Sequence, residues 1–256
     1  MRAHGGNERD GCIAGGNHAR GGDALLARIV AMAERAQDVR HVVLDKTGTI
    51  TAGRPKVVEY RGLQGLPDLQ CLQIVSSSRR ASEHPIARAV CGAADAKYLA
   101  LHPVEFFRAD PGVGIDGKMD GRALFVGSPR ALRDHSITLA AAESESISKL
   151  ELEGCTEVLL VDLEAKRALG MNAVRDALKA GSASIISLLS QCEGLGGWMM
   201  KGDNPRAAAA IASRVGIAPE RVIAGVKPAE KAAAILKLQA NGSRVAMVGD
   251  GINDAP

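Results

Sequence analysis

Through the C-terminal third of the chain, apolar runs of strand length alternate with stretches of helix length. Strand candidates at 198–200, 222–224 and 245–248 are interleaved with helix-like segments near 174–190, 204–215 and 228–240. When a helix separates each strand from the next, the chain returns parallel, so this alternation implies a parallel α/β sheet. An earlier apolar run, His41-Val42-Val43-Leu44, ends in Asp45 and reads as another buried strand, one that delivers a carboxylate to its C-terminal end. In a parallel sheet those ends open on one crevice, where residues from distant parts of the chain gather.

Between these two stretches the pattern changes. Residues 69–97 read as helical, with a break at Glu83-His84-Pro85, where proline suits the first turn of a new helix. Residues 103–127 read as short strands punctuated by Asp116-Gly117 and Asp120-Gly121, followed by a polar helix at 139–153 and a strand at 156–161. Residues 1–23, with seven glycines, read as a flexible N-terminal segment, and Asp23 can cap a helix over 24–37. The expected organisation is one α/β domain built from 24–55 and 166–256, interrupted by an inserted α+β domain at 56–165.

Composition excludes several functions. The 256 residues allow two domains, and 46% hydrophobic content is too high for a wholly disordered chain. A net charge of +3, with only 2% aromatic residues, gives no footprint for a nucleic-acid partner. Cys12, Cys71, Cys91, Cys155 and Cys192 are scattered and odd in number, which fits reduced thiols rather than a zinc site or a disulfide framework. No apolar run approaches the roughly 18 residues of a spanning helix, so the chain as written is expected to be soluble.

Three motifs follow predicted strands. Asp45-Lys46-Thr47-Gly48-Thr49-Ile50-Thr51 places a carboxylate before a glycine turn whose N–H groups can hold phosphate oxygens. Gly249-Asp250-Gly251-Ile252-Asn253-Asp254 sets two carboxylates four residues apart, which suits Mg2+. Lys227-Pro228-Ala229-Glu230-Lys231 opens a helix, and Lys231 can offset acyl-phosphate charge. Taken singly, each also reads as a turn, an acidic loop or a solvated helix start.

Together, DKTGTIT and MVGDGINDAP resemble the P-type ATPases, pumps that form a phospho-aspartate from ATP. Ser82-Glu83-His84-Pro85 resembles the SEHP motif of their heavy-metal branch, Pro111-Gly112-Val113-Gly114 its glycine loop, and Val126-Gly127-Ser128 its later strand-end turn. The stretch from Val222 to Lys231 looks closest to copper pumps of plant and algal plastids, and the likeness covers about 20–256.

The resemblance implies a haloacid-dehalogenase-like Rossmannoid phosphorylation domain with an inserted nucleotide-binding domain, and ATP and Mg2+ as cofactors. It makes Asp45 the nucleophile, with Lys231, Asp203 and Asn253 as catalytic partners and Lys46, Thr47, Gly48 and Gly202 around the phosphate. Mg2+ would sit among Asp45, the Thr47 carbonyl, Asp250 and Asp254, and adenine among Glu83, His84, Gly112, Gly114, Ile115, Gly127 and Ser128. The transported metal would bind in membrane helices that this chain lacks, so membrane association would come only through a longer parent.

Four departures stand out. Lys201 replaces a Thr or Ser, and Asn172 aligns with an Asp ahead of Arg175, so one carboxylate is expected to be lost. Gly194-Leu195-Gly196-Gly197 is expected to weaken the strand it enters, and the chain stops at Pro256 where the family continues, leaving an open sheet edge and poor solubility. Two other readings stay open: a nucleotide-binding module without catalysis, and a soluble phosphatase. Thr47 argues against the second, because such hydrolases usually carry an acid–base Asp at that place.

Overall fold

A computed structural model describes residues 39–110, 113–192, 195–202, 204–226, 228–240 and 242–249. The flexible segment expected at 1–23 and the helix expected at 24–37 lie outside the described residues, as do Gly112, Asp203, Asp250, Asn253 and Asp254. The strands are β1 (Val39–Asp45), β2 (Lys56–Gly62), β3 (Glu105–Asp110), β4 (Gly114–Met119), β5 (Arg122–Gly127), β6 (Thr156–Asp162), β7 (Arg167–Arg175), β8 (Gly196–Lys201), β9 (Val222–Ala224) and β10 (Arg244–Val248). The helices are α1 (Asp68–Arg79), α2 (Pro85–Asp95), α3 (Ala141–Leu152), α4 (Ser182–Gln191), α5 (Pro205–Val215) and α6 (Pro228–Gln239).

Two sheets result. The first is parallel, in the order β10-β1-β8-β9, with β1 inside it. Val42, Leu44 and Met199 pack against Ile185, Ile186 and Leu189 of α4 and against Ala208, Ile211 and Val215 of α5. The second is antiparallel, in the order β2-β7-β6-β5-β4-β3. One face carries α1 and α2, through Leu72, Val75 and Val90 against Val126, Val158 and Leu160. The other carries α3 and the turn Pro129–Arg133, through Ile147, Leu150 and Leu132 against Phe125, Leu159 and Met171.

The expected class, α/β with an inserted α+β unit, matches this architecture. Two local expectations do not. β7 pairs with both β2 and β6, so the inserted sheet runs to Arg175 instead of ending at 165. The helix expected from 174 begins only at Ser182, after Gly181 turns the backbone at φ +87°. β7 is buried from Ala168 to Val174 with core on both faces, and such a run has no period to separate strand from helix.

β8 forms through Gly196 all the same, paired with β1 from Gly196 to Met200. A Cβ at Gly196 would lie 3.2 Å from His41 Nδ1 and 3.3 Å from Trp198 Nε1. That space is filled by the Trp198 indole, which donates to His41 Nδ1 at 3.1 Å across edge-to-face rings.

Candidate active site

Asp45 ends β1 at the C-terminal edge of the parallel sheet and is 8% exposed. Its Oδ2 accepts from the Thr47 N–H at 2.9 Å, and Lys231 Nζ, from the first turns of α6, donates to Oδ1 at 3.0 Å. Both side chains are largely buried, so this ion pair is less screened than a surface one. The turn Lys46–Ile50 passes through Gly48 at φ +73°, a conformation that favours glycine. Lys46 is buried, and its carbonyl accepts from the Thr51 N–H at 3.0 Å and the Thr51 hydroxyl at 3.1 Å.

The segment after β7 straps this turn in place. Asp176 Oδ2 accepts from the Thr51 hydroxyl at 2.6 Å and the Gly53 N–H at 3.0 Å, while Oδ1 accepts from the Arg54 N–H at 3.1 Å. Lys179 Nζ donates to the Gly48 carbonyl, and the Ser182 hydroxyl donates to the Ile50 carbonyl at 2.9 Å. The sequence reading missed Asp176 and expected a carboxylate to be lost at Asn172. Asn172 instead lies inside β7, fully buried, opposite Tyr60 and Val158 and away from the turn. The missed signal was the acid and base spaced as Asp176 and Lys179, just where the helix was expected.

Strand register brings the other crevice residues alongside. Met200 is level with Asp45 and Val248 with Leu44, so Lys201 and Gly202 on one side and Gly249 on the other border Asp45. Gly202 keeps the crevice narrow, because a Cβ there would lie 3.1 Å from the Val226 carbonyl. Lys201 is only 3% exposed. It acts electrostatically on Glu157 of β6, itself 2% exposed. Burial, above all, pushes the Glu157 carboxyl up to about 8; the Glu151 carboxylate adds to this, and a backbone hydrogen bond and Lys201 oppose it.

A second cluster lies on the inserted sheet. Gly114 and Gly127 face each other across β4 and β5, with Ile115 beside Val126. The Phe125 ring fills the space next to both glycines, since a Cβ on Gly114 would come within 2.4 Å of it and one on Gly127 within 2.2 Å. His84 caps α2, its Nδ1 accepting from the Ile86 N–H at 3.2 Å, with Pro85 in the first turn. Glu83 and His84 are exposed and Ser128 half-buried. Arg130, two residues past Ser128, approaches the crevice: its Nη1 lies 3.8 Å from where a Cβ of Gly225 would stand, just past β9. A hollow lined by Arg61, Leu139, Ser146, Leu159 and Met171 belongs to neither cluster and holds no residue of either.

Among the described residues, no three His, Cys, Asp or Glu side chains gather to hold a metal. Asp45 and the Thr47 carbonyl are the described part of the expected Mg2+ set, and one or two carboxylates with phosphate and water oxygens suffice for that ion. The described cysteines are all free thiols, and burial pushes Cys71 up to about 12 and Cys155 up to about 11, which keeps both protonated and inert. Among the described residues no helix is long and apolar enough to cross a membrane.

The chain is 41% identical over 223 residues to copper-exporting P-type ATPases of Staphylococcus aureus, strains bovine RF122 / ET3-1 and JH9, covering 87% of this chain and 27% of each relative. It therefore spans about a quarter of the length of the curated relatives it matches. Among solved structures, a zinc-transporting PIB-type ATPase in its E2.Pi state superposes with a TM-score of 0.56 at 34% identity, covering 91% of this chain and 38% of that one. The catalytic domain of the CPx-ATPase CopB-B shares the fold, with a TM-score of 0.64 at 22% identity over 88% of this chain and 76% of that one. A family model for haloacid dehalogenase-like hydrolases matches residues 39–256, most of the chain, and the chain belongs to that family.

Proposed function

We propose that this chain is the nucleotide-binding and phosphorylation part of a heavy-metal-transporting P-type ATPase. It forms an aspartyl phosphate at Asp45 from a purine nucleoside triphosphate, ATP in the first instance. One observation carries the reading: Asp45 stands at the sheet's crevice with one carboxylate oxygen held by a backbone N–H and the other by Lys231.

In the proposed step an Asp45 carboxylate oxygen forms a bond to the γ-phosphorus, the bond from that phosphorus to the β–γ bridging oxygen breaks, and the nucleoside diphosphate leaves. Positioning and charge neutralisation do most of the work in such a transfer. Lys231 offsets the charge of the acyl phosphate, and the backbone around Thr47, Gly48 and Gly202 lets phosphate oxygens approach. Mg2+, held by Asp45, the Thr47 carbonyl, Asp250 and Asp254, would neutralise the transferring phosphoryl group. Asp203 and Asn253 orient neighbouring groups. The inserted unit supplies the base site at Glu83, His84, Gly112, Gly114, Ile115, Gly127 and Ser128. The approach of Arg130 to Gly225 supports base and phosphates bridging the two sheets.

The names of the relatives support copper or zinc as cargo for the parent protein, with copper favoured by the Val222–Lys231 likeness. We further propose that the parent is membrane-anchored with this part on the cytosolic or plastid-stromal side. A second reading, nucleotide binding without turnover, is favoured by the burial of Lys201 beside the crevice.

The test is acid-stable incorporation of label from γ-labelled ATP with Mg2+. Label present in the wild type, absent in Asp45→Asn and released by hydroxylamine supports the acyl phosphate. ATP binding without label favours the second reading. In a separate assay, His84→Ala is expected to weaken nucleotide binding with an unchanged melting temperature.

A further inference from the structure

Arg130 belongs to the inserted unit yet reaches the parallel sheet. It stands in the short turn Pro129–Arg133, two residues after Ser128 of the proposed base site. The Ser128 N–H donates to the Val113 carbonyl at 3.3 Å, and the Ser128 carbonyl accepts from the Ala131 N–H at 3.0 Å. Ala131 and Leu132 anchor the turn in the core with Phe125, which leaves Arg130 on the outside, exposed. Its Nη1 lies 3.8 Å from where a Cβ of Gly225 would stand, and Pro205 Cγ flanks the same point at 3.8 Å. Gly225 follows β9 and leads into α6, whose Lys231 holds Asp45, while Pro205 opens α5 just past β8 and Gly202. The guanidinium therefore hangs over the two loops that leave the C-terminal ends of β8 and β9, on the edge that also carries Asp45. Gly225, at φ +73° and without a side chain, leaves that space open. No hydrogen bond or ion pair ties Arg130 to another described residue.

A guanidinium offers five donors and no acceptor, and it pairs with phosphate oxygens two at a time. A nucleotide with its base against Gly127 and Ser128 and its γ-phosphate at Asp45 must carry its other two phosphates across from the inserted unit to the parallel sheet. Arg130 follows the base site by two residues and already touches the far side of that passage. Lys231, engaged with Asp45, serves the phosphate that is transferred and leaves the two that depart to another cation.

We infer that Arg130 binds the diphosphate part of the nucleotide, holding the α- and β-phosphates while Asp45 takes the third. The inference rests on the nucleotide site proposed above. The test measures binding of adenosine, Mg2+-ADP and Mg2+-ATP to the full chain by NMR titration, wild type against Arg130→Met and Arg130→Lys, with thermal melts as folding controls. The wild type is expected to bind ADP more tightly than adenosine. Arg130→Met, which keeps bulk and loses the donors, lowers ADP and ATP affinity about tenfold and leaves adenosine affinity unchanged. Arg130→Lys, which keeps the charge and loses the fork, recovers part of that loss and serves if the Met variant does not fold. ADP and ATP held as tightly by Arg130→Met as by the wild type overturn the inference, while leaving the base site and the Asp45 reading intact. So does an equal loss of adenosine affinity, which assigns Arg130 to the shape of the base site instead of to the phosphates. A wild type that binds none of the three overturns the inference together with the base site.

Discussion

Glu157 shows how a single buried side chain can set the response of the protein to pH. Its folded-state pKa, about 8, lies above the ordinary value of 4.5, so the folded protein holds a proton that the unfolded chain gives up between those values. The stability it contributes is complete below about 4.5 and is lost as pH rises through about 8. The melting temperature of the wild type is expected to fall from about pH 5 to about pH 9, and Glu157→Gln to flatten that slope. Lys201→Thr removes the nearby cation that opposes this shift, so the same loss moves to higher pH; equal melting curves for wild type and Lys201→Thr would refute the coupling. Asp45 and Lys231 were readable in the sequence because each sits beside a strand end or helix start with its own local pattern. Glu157 was not readable, because nothing in Gly-Cys-Thr-Glu-Val announces that Lys201 lies close to it.

The turn after Asp45 is shaped as much by the segment that follows β7 as by its own glycine. Asp176 takes three donors from residues more than a hundred positions earlier in the chain. Asp176→Ala leaves the Gly53 and Arg54 N–H groups without their acceptor and the Thr51 hydroxyl with the Lys46 carbonyl alone, at a cost of about 1–3 kcal/mol. A lowered melting temperature, with phosphorylation falling further than folding, is the expected result. Wild-type stability in that variant would mean water replaces the carboxylate. The parallel sheet was legible as an element pattern because its strands are short, apolar and closed by turn residues. β2 and β7 were not legible: β2 carries Lys56, Glu59 and Arg61 on an outer strand, and β7 hides Gly170 and Asn172 in a buried run. The inserted unit was therefore drawn one strand too short on its C-terminal side.

At the scale of the whole molecule, the two sheets meet where α3 packs against α5. Asn204 Nδ2 and Arg206 Nη1 both donate to Glu151, the latter at 3.2 Å, and Arg206 Nη1 also reaches the Ser148 hydroxyl at 3.1 Å. Glu151 is 7% exposed, and removing it takes from Asn204 and the solvent-facing Arg206 the acceptor that ties α5 to α3. Glu151→Ala is expected to speed hydrogen exchange in α3 and α5 while sparing β1 and β8, and to move the pH slope of Glu157 downward; unchanged exchange at the seam would show the contact to be ornamental. Such long-range pairing escapes a reading by local pattern, which sees each helix but not its neighbour. The interior position of β1 also bears on synthesis. Its two neighbours, β8 and β10, are translated only after the whole antiparallel sheet, which can close as soon as β7 leaves the ribosome. During translation the strand that ends in Asp45 waits for partners made later, so the sheet edge carrying that carboxylate is completed only after the antiparallel half of the molecule.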